Sequence, residues 1–298
     1  ADGAPALVDA ALRDAALAWL QGLVVQAPGR PAHGAVRNHP GPAHVDATGQ
    51  AWQPVSAYAV NLGLIGALPL SAAVLPTAAG WLRWMAGHVA ATGPDAGVVH
   101  DHWLRTGDQA LSTCPPGLAA ARCNEVDAVD STAASTLLLA DAWLRHGGDA
   151  ALLREPPLRA LLEAAATAMR ALTGPDGLTL ARRSHPVVYT MDTAEVVAGW
   201  RAWARLQRGV YAQPASALIS EAAADRARAG LHGPLWDGAA RAWRVHLGDV
   251  PRPQRLWYPD AVAQAWPLLW GADRGGPEPD RAAGAWRRAQ RHWQSPQR

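Results

Sequence analysis

Asp130-Ser131-Thr132-Ala133-Ala134-Ser135 opens a run of small and apolar residues, and the chain repeats that arrangement twice more. The second copy is Asp192-Thr-Ala-Glu-Val-Val and the third is Asp260-Ala-Val-Ala-Gln-Ala-Trp, with spacings of 62 and 68 residues. After each of the first two comes a second helix-forming stretch, then a Gly/Pro turn, then a short β-prone stretch. The turns echo one another: Thr92-Gly-Pro-Asp-Ala-Gly97, Thr173-Gly-Pro-Asp-Gly177, and a looser His232-Gly-Pro-Leu-Trp-Asp-Gly238. Self-similarity at a long period marks a repeat architecture. The unit is a helical hairpin with a decorated loop, so Asp-led helix ends are expected to gather at one acidic mouth.

Periodicity extends this reading along the chain. Helices are predicted at residues 9–21, 56–68, 77–91, 131–146, 157–172, 193–208, 215–229, 261–270 and 281–293. Within 157–172 the apolar positions Leu158, Leu161, Leu162, Ala165, Met169 and Leu172 follow the 3.6-residue period. Pro156 and Pro157 suit a first helical turn, where no amide donor is lost. Residues 98–103, 178–181, 187–190 and 242–247 are short and β-prone, and 28–53 reads as loop. Paired helices alternating with short connections predict stacked αα-hairpins in one domain over residues 1–298, with the strands as decorations.

Composition narrows the function classes. Lysine and phenylalanine are absent, and fifteen tryptophans stand in for much of the aromatic core. The helical ones (Trp81, Trp84, Trp143, Trp200, Trp203, Trp266, Trp270) fall at core spacing. A net charge of +2 with scattered arginines gives nucleic-acid binding little support. Residues 47–82 carry no charge, but Pro54, Pro69 and Pro76 cut the stretch into pieces shorter than the roughly 20 residues of a span. No membrane span is expected. The first residue is not methionine, so a removed signal peptide or a trimmed chain is expected. Cys114 and Cys123, in a Pro/Gly loop, are candidates for a disulfide in a periplasmic or secreted protein; two free cytosolic thiols are the alternative.

Candidate chemistry concentrates on acids. Glu125-Val-Asp127-Ala-Val-Asp130 crowds three carboxylates ahead of an apolar helix, and close like charges raise one another's pKa. Helix N-capping explains the same aspartates. Asp192-Thr-Ala-Glu195 has capping-box spacing, which accounts for Glu195 better than for Asp192. Trp257-Tyr258-Pro259-Asp260 sets two rings and an acid at a helix start, suited to stacking on sugars or to core packing. His100-Asp101-His102-Trp103 reads as a ligand-facing strand more than a metal site, and two cysteines without matching histidines are a poor zinc site. Phosphate-loop, nucleophile-elbow and zincin motifs are absent, lysine-based cofactor chemistry is excluded, and no cofactor is implied.

Residues 125–153, 189–206 and 256–271 resemble the inner-helix segments of six-hairpin (α/α)-toroid glycosidases. Asp127-Ala-Val-Asp130 followed by Leu-Leu-Leu-Ala-Asp-Ala-Trp is similar to the Asp-x-Asp pattern of bacterial endoglucanase-like members, and Trp257-Tyr-Pro-Asp260-Ala to an acid-bearing helix start. The resemblance implies an all-α (α/α) toroid or partial toroid with short β-hairpin decorations, hydrolysing a poly- or oligosaccharide. One departure stands out: where that pattern has Ser-Glu with the general acid, this chain has Ser56-Ala57. Catalysis is therefore expected from Asp130 and Asp192. Asp101, His102, Trp103, Asp127, Arg183, Trp257, Tyr258 and Asp260 are expected to bind substrate, with Trp52 and Arg182 as further mouth residues. A non-catalytic glycan-binding toroid and a polysaccharide lyase using Tyr258 or His102 are the alternatives.

Overall fold

The computed structural model describes residues 9–274 and 280–293. The chain is mostly helical, with ten α-helices packed among the described residues. It divides into two compact units: residues up to 89 with 99–126 and 142–161, and residues 90–98 with 127–141 and 162–298.

The first unit holds α1 (Ala10–Leu23), α2 (Ala57–Ala67), α3 (Leu75–Ala86), α5 (Ala150–Arg154) and a four-stranded antiparallel sheet. The strands β1 (His44–Val45), β2 (Ala51–Val55), β3 (His102–Arg105) and β4 (Leu111–Ser112) lie in that order. This sheet departs from the sequence expectation, which read residues 28–53 as loop. Pro54 lies inside β2, yet β1 pairs only with Ala51 and Trp52; beyond it Asn38 N–H donates to the Pro54 carbonyl at 2.9 Å, a contact that asks no donor of the proline. Asp46 closes the β1–β2 turn by accepting from Thr48 Oγ1 at 2.6 Å and Trp52 Nε1 at 3.0 Å, and these bonds hold its carboxyl well below the usual range. Helix α3 stops at Ala86, earlier than predicted, and Gly87 at its C-cap donates its N–H to the Arg83 and Trp84 carbonyls. Trp81 and Trp84 stack at 4.8 Å in the core, their indole N–H groups donating to Asn61 Oδ1 and the Pro31 carbonyl.

Cys114 and Cys123 form a disulfide, closing a loop at a separation of 9 residues. A loop of that length predicts that replacing both cysteines by serine costs about 2–3 kcal/mol, checked by urea denaturation of the oxidised protein beside the double variant.

The second unit is built on α7 (Thr190–Gly209), which pairs with α8 (Pro214–His232) as an αα-hairpin. The first part of α4 (Val129–Arg145), most of α6 (Pro156–Leu172), α9 (Val262–Leu269) and α10 (Arg281–Trp293) complete its helices. A two-stranded ribbon, β5 (Trp236–Asp237) with β6 (Ala242–Trp243), realises part of the stretch predicted at 242–247; residues 178–181 and 187–190 form only single bridges. The predicted stripe Val196, Val197, Trp200, Trp203 and Leu206 is buried, and most of the remaining α7 surface is buried too. Gly199 permits the approach of α4: a Cβ there would stand 2.9 Å from that of Ala134.

Two of the three echoed turns, at 92–97 and 173–177, share a plan that the third lacks, since Gly238 is not left-handed. Each of the two closes on its own flank, through Ala90 N–H to the Val98 carbonyl and Gly174 N–H to the Leu178 carbonyl. Each ends on a left-handed glycine, Gly97 at φ +96° and Gly177 at φ +82°, seated against a helix carbonyl. An added Cβ would reach the Ala164 oxygen at 2.4 Å in the first and the Arg226 oxygen at 2.2 Å in the second. Gly177→Ala is therefore expected to cost about 2–3 kcal/mol, measurable as a lowered denaturation midpoint.

Candidate functional site

The helix starts that carry the aspartates are capped by carbonyls from further along the chain. Val129 N–H, at the head of α4, donates to the Ala181 carbonyl at 2.7 Å. Thr190 N–H, at the head of α7, donates to the Val245 carbonyl at 3.0 Å. The sequence reading of Asp130 and Asp192 as N-caps is thereby corrected: they sit one and two positions inside their helices. The leading amide of each helix is thus met by a main-chain carbonyl and not by the aspartate. The capping-box reading of Glu195 fails as well, because Glu195 is buried and accepts from Trp266 Nε1 at 2.9 Å.

Beside these two helix starts lies a cavity of about 370 Å³ lined by Asp127, Arg182, His185, Tyr189, Asp192 and Tyr258, with Ala128, Ala181, Met191, Val245 and Pro259 between them. Its back wall is apolar: Met191, Val245 and Ala263 cluster with Tyr189, Val262 and Trp266 packed on them. Asp130 is fully buried and is not in the lining. Its Oδ1 accepts from Ser131 N–H at 2.8 Å.

The carboxyls are strongly perturbed. Burial, helped by the Asp127 charge, pushes Asp192 up to about 7, against a smaller lowering by the Ser131 hydroxyl. Burial first, then the nearby Asp192 and Glu195, raises Asp130 well above the ordinary carboxyl range; Ser131 N–H and the Thr179 hydroxyl offset part of this. Tyr258 and Tyr189 are also raised, by burial first and then by the Asp127 and Asp192 charges. Thus Asp192 titrates near neutral pH at the cavity wall, whose lining also includes the exposed Asp127.

Other predicted site residues lie elsewhere. Asp101, His102 and Trp103 belong to the first unit. His102 donates from Nδ1 to the His100 carbonyl at 2.7 Å, packs edge-on against Trp84 and His88, and is lowered to about 4 by burial and then by His88 and His100. Trp103 and Trp52 are buried, so neither can floor a sugar groove. Arg183 is exposed and donates to the Ala171 carbonyl, while Arg182 lines the cavity. Trp257 is half exposed and packs edge-on to Trp286 and Trp293, leaving Tyr258 as the ring at the mouth. Asp260 is buried and outside the lining. Reading the sequence missed Tyr189 and His185, whose N–H/O–H contact spans 3.1 Å. Their spacing of four, just ahead of Asp192, was the available signal.

Among the described residues no helix is long and apolar enough to cross a membrane, and no three His, Cys, Asp or Glu side chains are grouped to hold a metal ion. Compared with known proteins, the chain matches no protein-family model and no curated sequence.

Proposed function

We propose that this chain is a glycoside hydrolase of the six-hairpin (α/α)-toroid kind, acting on a poly- or oligosaccharide. The observation that carries it is the pairing, across one cavity, of a carboxyl protonated near neutral pH with an exposed carboxylate. Glycosidic hydrolysis needs one carboxyl to protonate the leaving oxygen and another to act as base or nucleophile. Asp192 is the proton donor and Asp127 the second carboxylate, where the sequence reading paired Asp192 with Asp130 and had Asp127 tune the latter. Asp130 lies behind the lining, where burial and the Asp192 charge raise it well above the ordinary carboxyl range; the charge that helps Asp192 keep its proton is that of Asp127. Tyr258 at the mouth offers a ring face for a sugar. The repeated turn and cap geometry supports the toroid, and the Cys114–Cys123 bridge supports export to an oxidising compartment.

A second reading, a polysaccharide lyase, is favoured by the His185–Tyr189 pair and Tyr258 in the same cavity, since imidazole and phenol are proton carriers. Parallel assays on a glycan panel separate the readings. A hydrolase releases reducing ends without ultraviolet absorbance, and a lyase yields both. Saturable binding with neither signal would leave a glycan-binding module.

A further inference from the structure

We infer that the outer face of α10 is a second binding surface, which holds an anionic polysaccharide, carboxylated or sulfated, outside the cavity. The choice of a glycan as the anion rests on the hydrolase reading. Helix α10 carries four arginines and no acid. Arg287 and Arg291 are exposed one turn apart, with Arg288 beside them, while Ala282, Ala285 and Ala289 bury the opposite face. Arg288 Nη2 donates to the Arg241 carbonyl in the β5–β6 loop, which adds the exposed Arg241 to the three helix arginines. Arg241 stands at φ +50°, a conformation that favours glycine, so the loop carries this arginine at a cost in backbone strain.

A basic stripe can be no more than a solvated helix face or a complement to the helix dipole. The dipole accounts for Arg291 in the last turn, but not for Arg287, Arg288 or Arg241. Elsewhere on the surface Arg83 is paired with Glu155, Arg208 with Glu221 and Arg228 with Asp225. Among the described residues, Arg241, Arg287 and Arg291 stand in no ion pair. Burial, and then the charges of Arg241, Arg291 and Arg287, hold Arg288 below the usual guanidinium value. Like charges so placed repel, and an anionic chain relieves them. The aromatic rim favours a glycan as that chain. Trp257, half exposed, rests edge-on against Trp286 and Trp293 of α10, and its neighbour Tyr258 lines the cavity. Aromatic rings thus join the cavity to the helix that bears the arginines. The apolar face of α10 is buried in the protein, so the helix has none to lend to a lipid bilayer.

The test is a binding titration that needs no turnover. Alginate, polygalacturonate and chondroitin sulfate are titrated into the Asp192→Asn protein, beside dextran, a single-stranded oligonucleotide and phosphatidylglycerol vesicles. At least one acidic polysaccharide should bind, and more weakly as salt rises. Adding Arg287→Gln with Arg291→Gln should weaken that binding about tenfold or more, the scale of lost charge-assisted bonds. Arg30→Gln with Arg226→Gln, which removes the same charge from exposed positions elsewhere, should change it by less than about twofold. Equal losses in the two double variants reduce the effect to net charge and overturn the inference. So does binding of no acidic polysaccharide, or tighter binding of the oligonucleotide or the vesicles. Neither Arg287 nor Arg291 lines the cavity, so their double variant with Asp192 intact should cleave a short neutral glycan as the wild type does. Those failures therefore leave the hydrolase reading standing, and only a wild type that cleaves no glycan removes it.

Discussion

Asp192→Asn is expected to lower glycan cleavage by about a hundredfold to ten-thousandfold, the range for loss of a general acid. The amide fills the same space in the cavity wall but cannot deliver a proton. Its loss should fall on kcat, with KM little changed, because a sugar still docks on the remaining lining. Asp127→Asn should be comparably damaging through loss of the second carboxylate. In the wild type the alkaline limb of the rate profile should fall near pH 7, where Asp192 gives up its proton. Asp130→Asn has a different signature: Asp130 is itself raised well above the ordinary carboxyl range, so a neutral amide there removes no charge from beside Asp192 and should leave that limb near pH 7. Full activity in both Asp192→Asn and Asp127→Asn would end the assignment.

The same substitution should make the protein more stable. An unfolded aspartate titrates near 4, whereas folded Asp192 holds its proton to about 7. Below about pH 4 both states are protonated and the site costs little. Between about 4 and 7 the unfolded chain has released a proton that the folded chain keeps, so each rise in pH favours unfolding. Above about 7 the full penalty of a buried, crowded carboxylate is in place. Asp130 acts in the same direction. Wild-type stability is thus expected to fall from pH 5 to pH 8. Asp192→Asn should flatten that slope and stand about 2–4 kcal/mol above wild type at pH 8. Urea denaturation at the two pH values reads this directly, and parallel slopes for the two proteins would contradict it. Lost activity with gained stability is a combination that a structural aspartate would not give.

How much of this was legible in the sequence depends on the range of each signal. Helical periodicity is local, so α6 and α7 and the buried Trp200 and Trp203 could be read from spacing alone. Two of the echoed turns were legible because a left-handed glycine seated on a helix carbonyl leaves one residue type for that place. The first unit's sheet was not, because β1 and β2 are short and β2 contains a proline whose tolerance depends on a distant partner, Asn38, that asks only for its carbonyl. Of the acids read as candidates, Asp192 and Asp127 line the cavity, while Asp130 is buried outside its lining. Spacing put Asp130 and Asp192 at equivalent helix starts, but exposure separates Asp127 from Asp130, and exposure depends on residues 181–192 folding over the head of α4. The same holds for the arginines: nothing local distinguishes Arg182 from Arg183 until a turn puts one inward.

The carbonyls of Ala181 and Val245 have an implication for how such a site is inherited. A main-chain oxygen is common to all twenty amino acids, so both clamps survive any exchange of side chain that preserves the path of the chain. Descent can therefore rewrite the letters at 181 and 245 freely while the aspartates stay aimed. The vulnerability lies in length. Inserting or deleting one residue between 172 and 181, or between 232 and 245, would slide the clamp off its amide and turn the acid away with every letter of the motif intact.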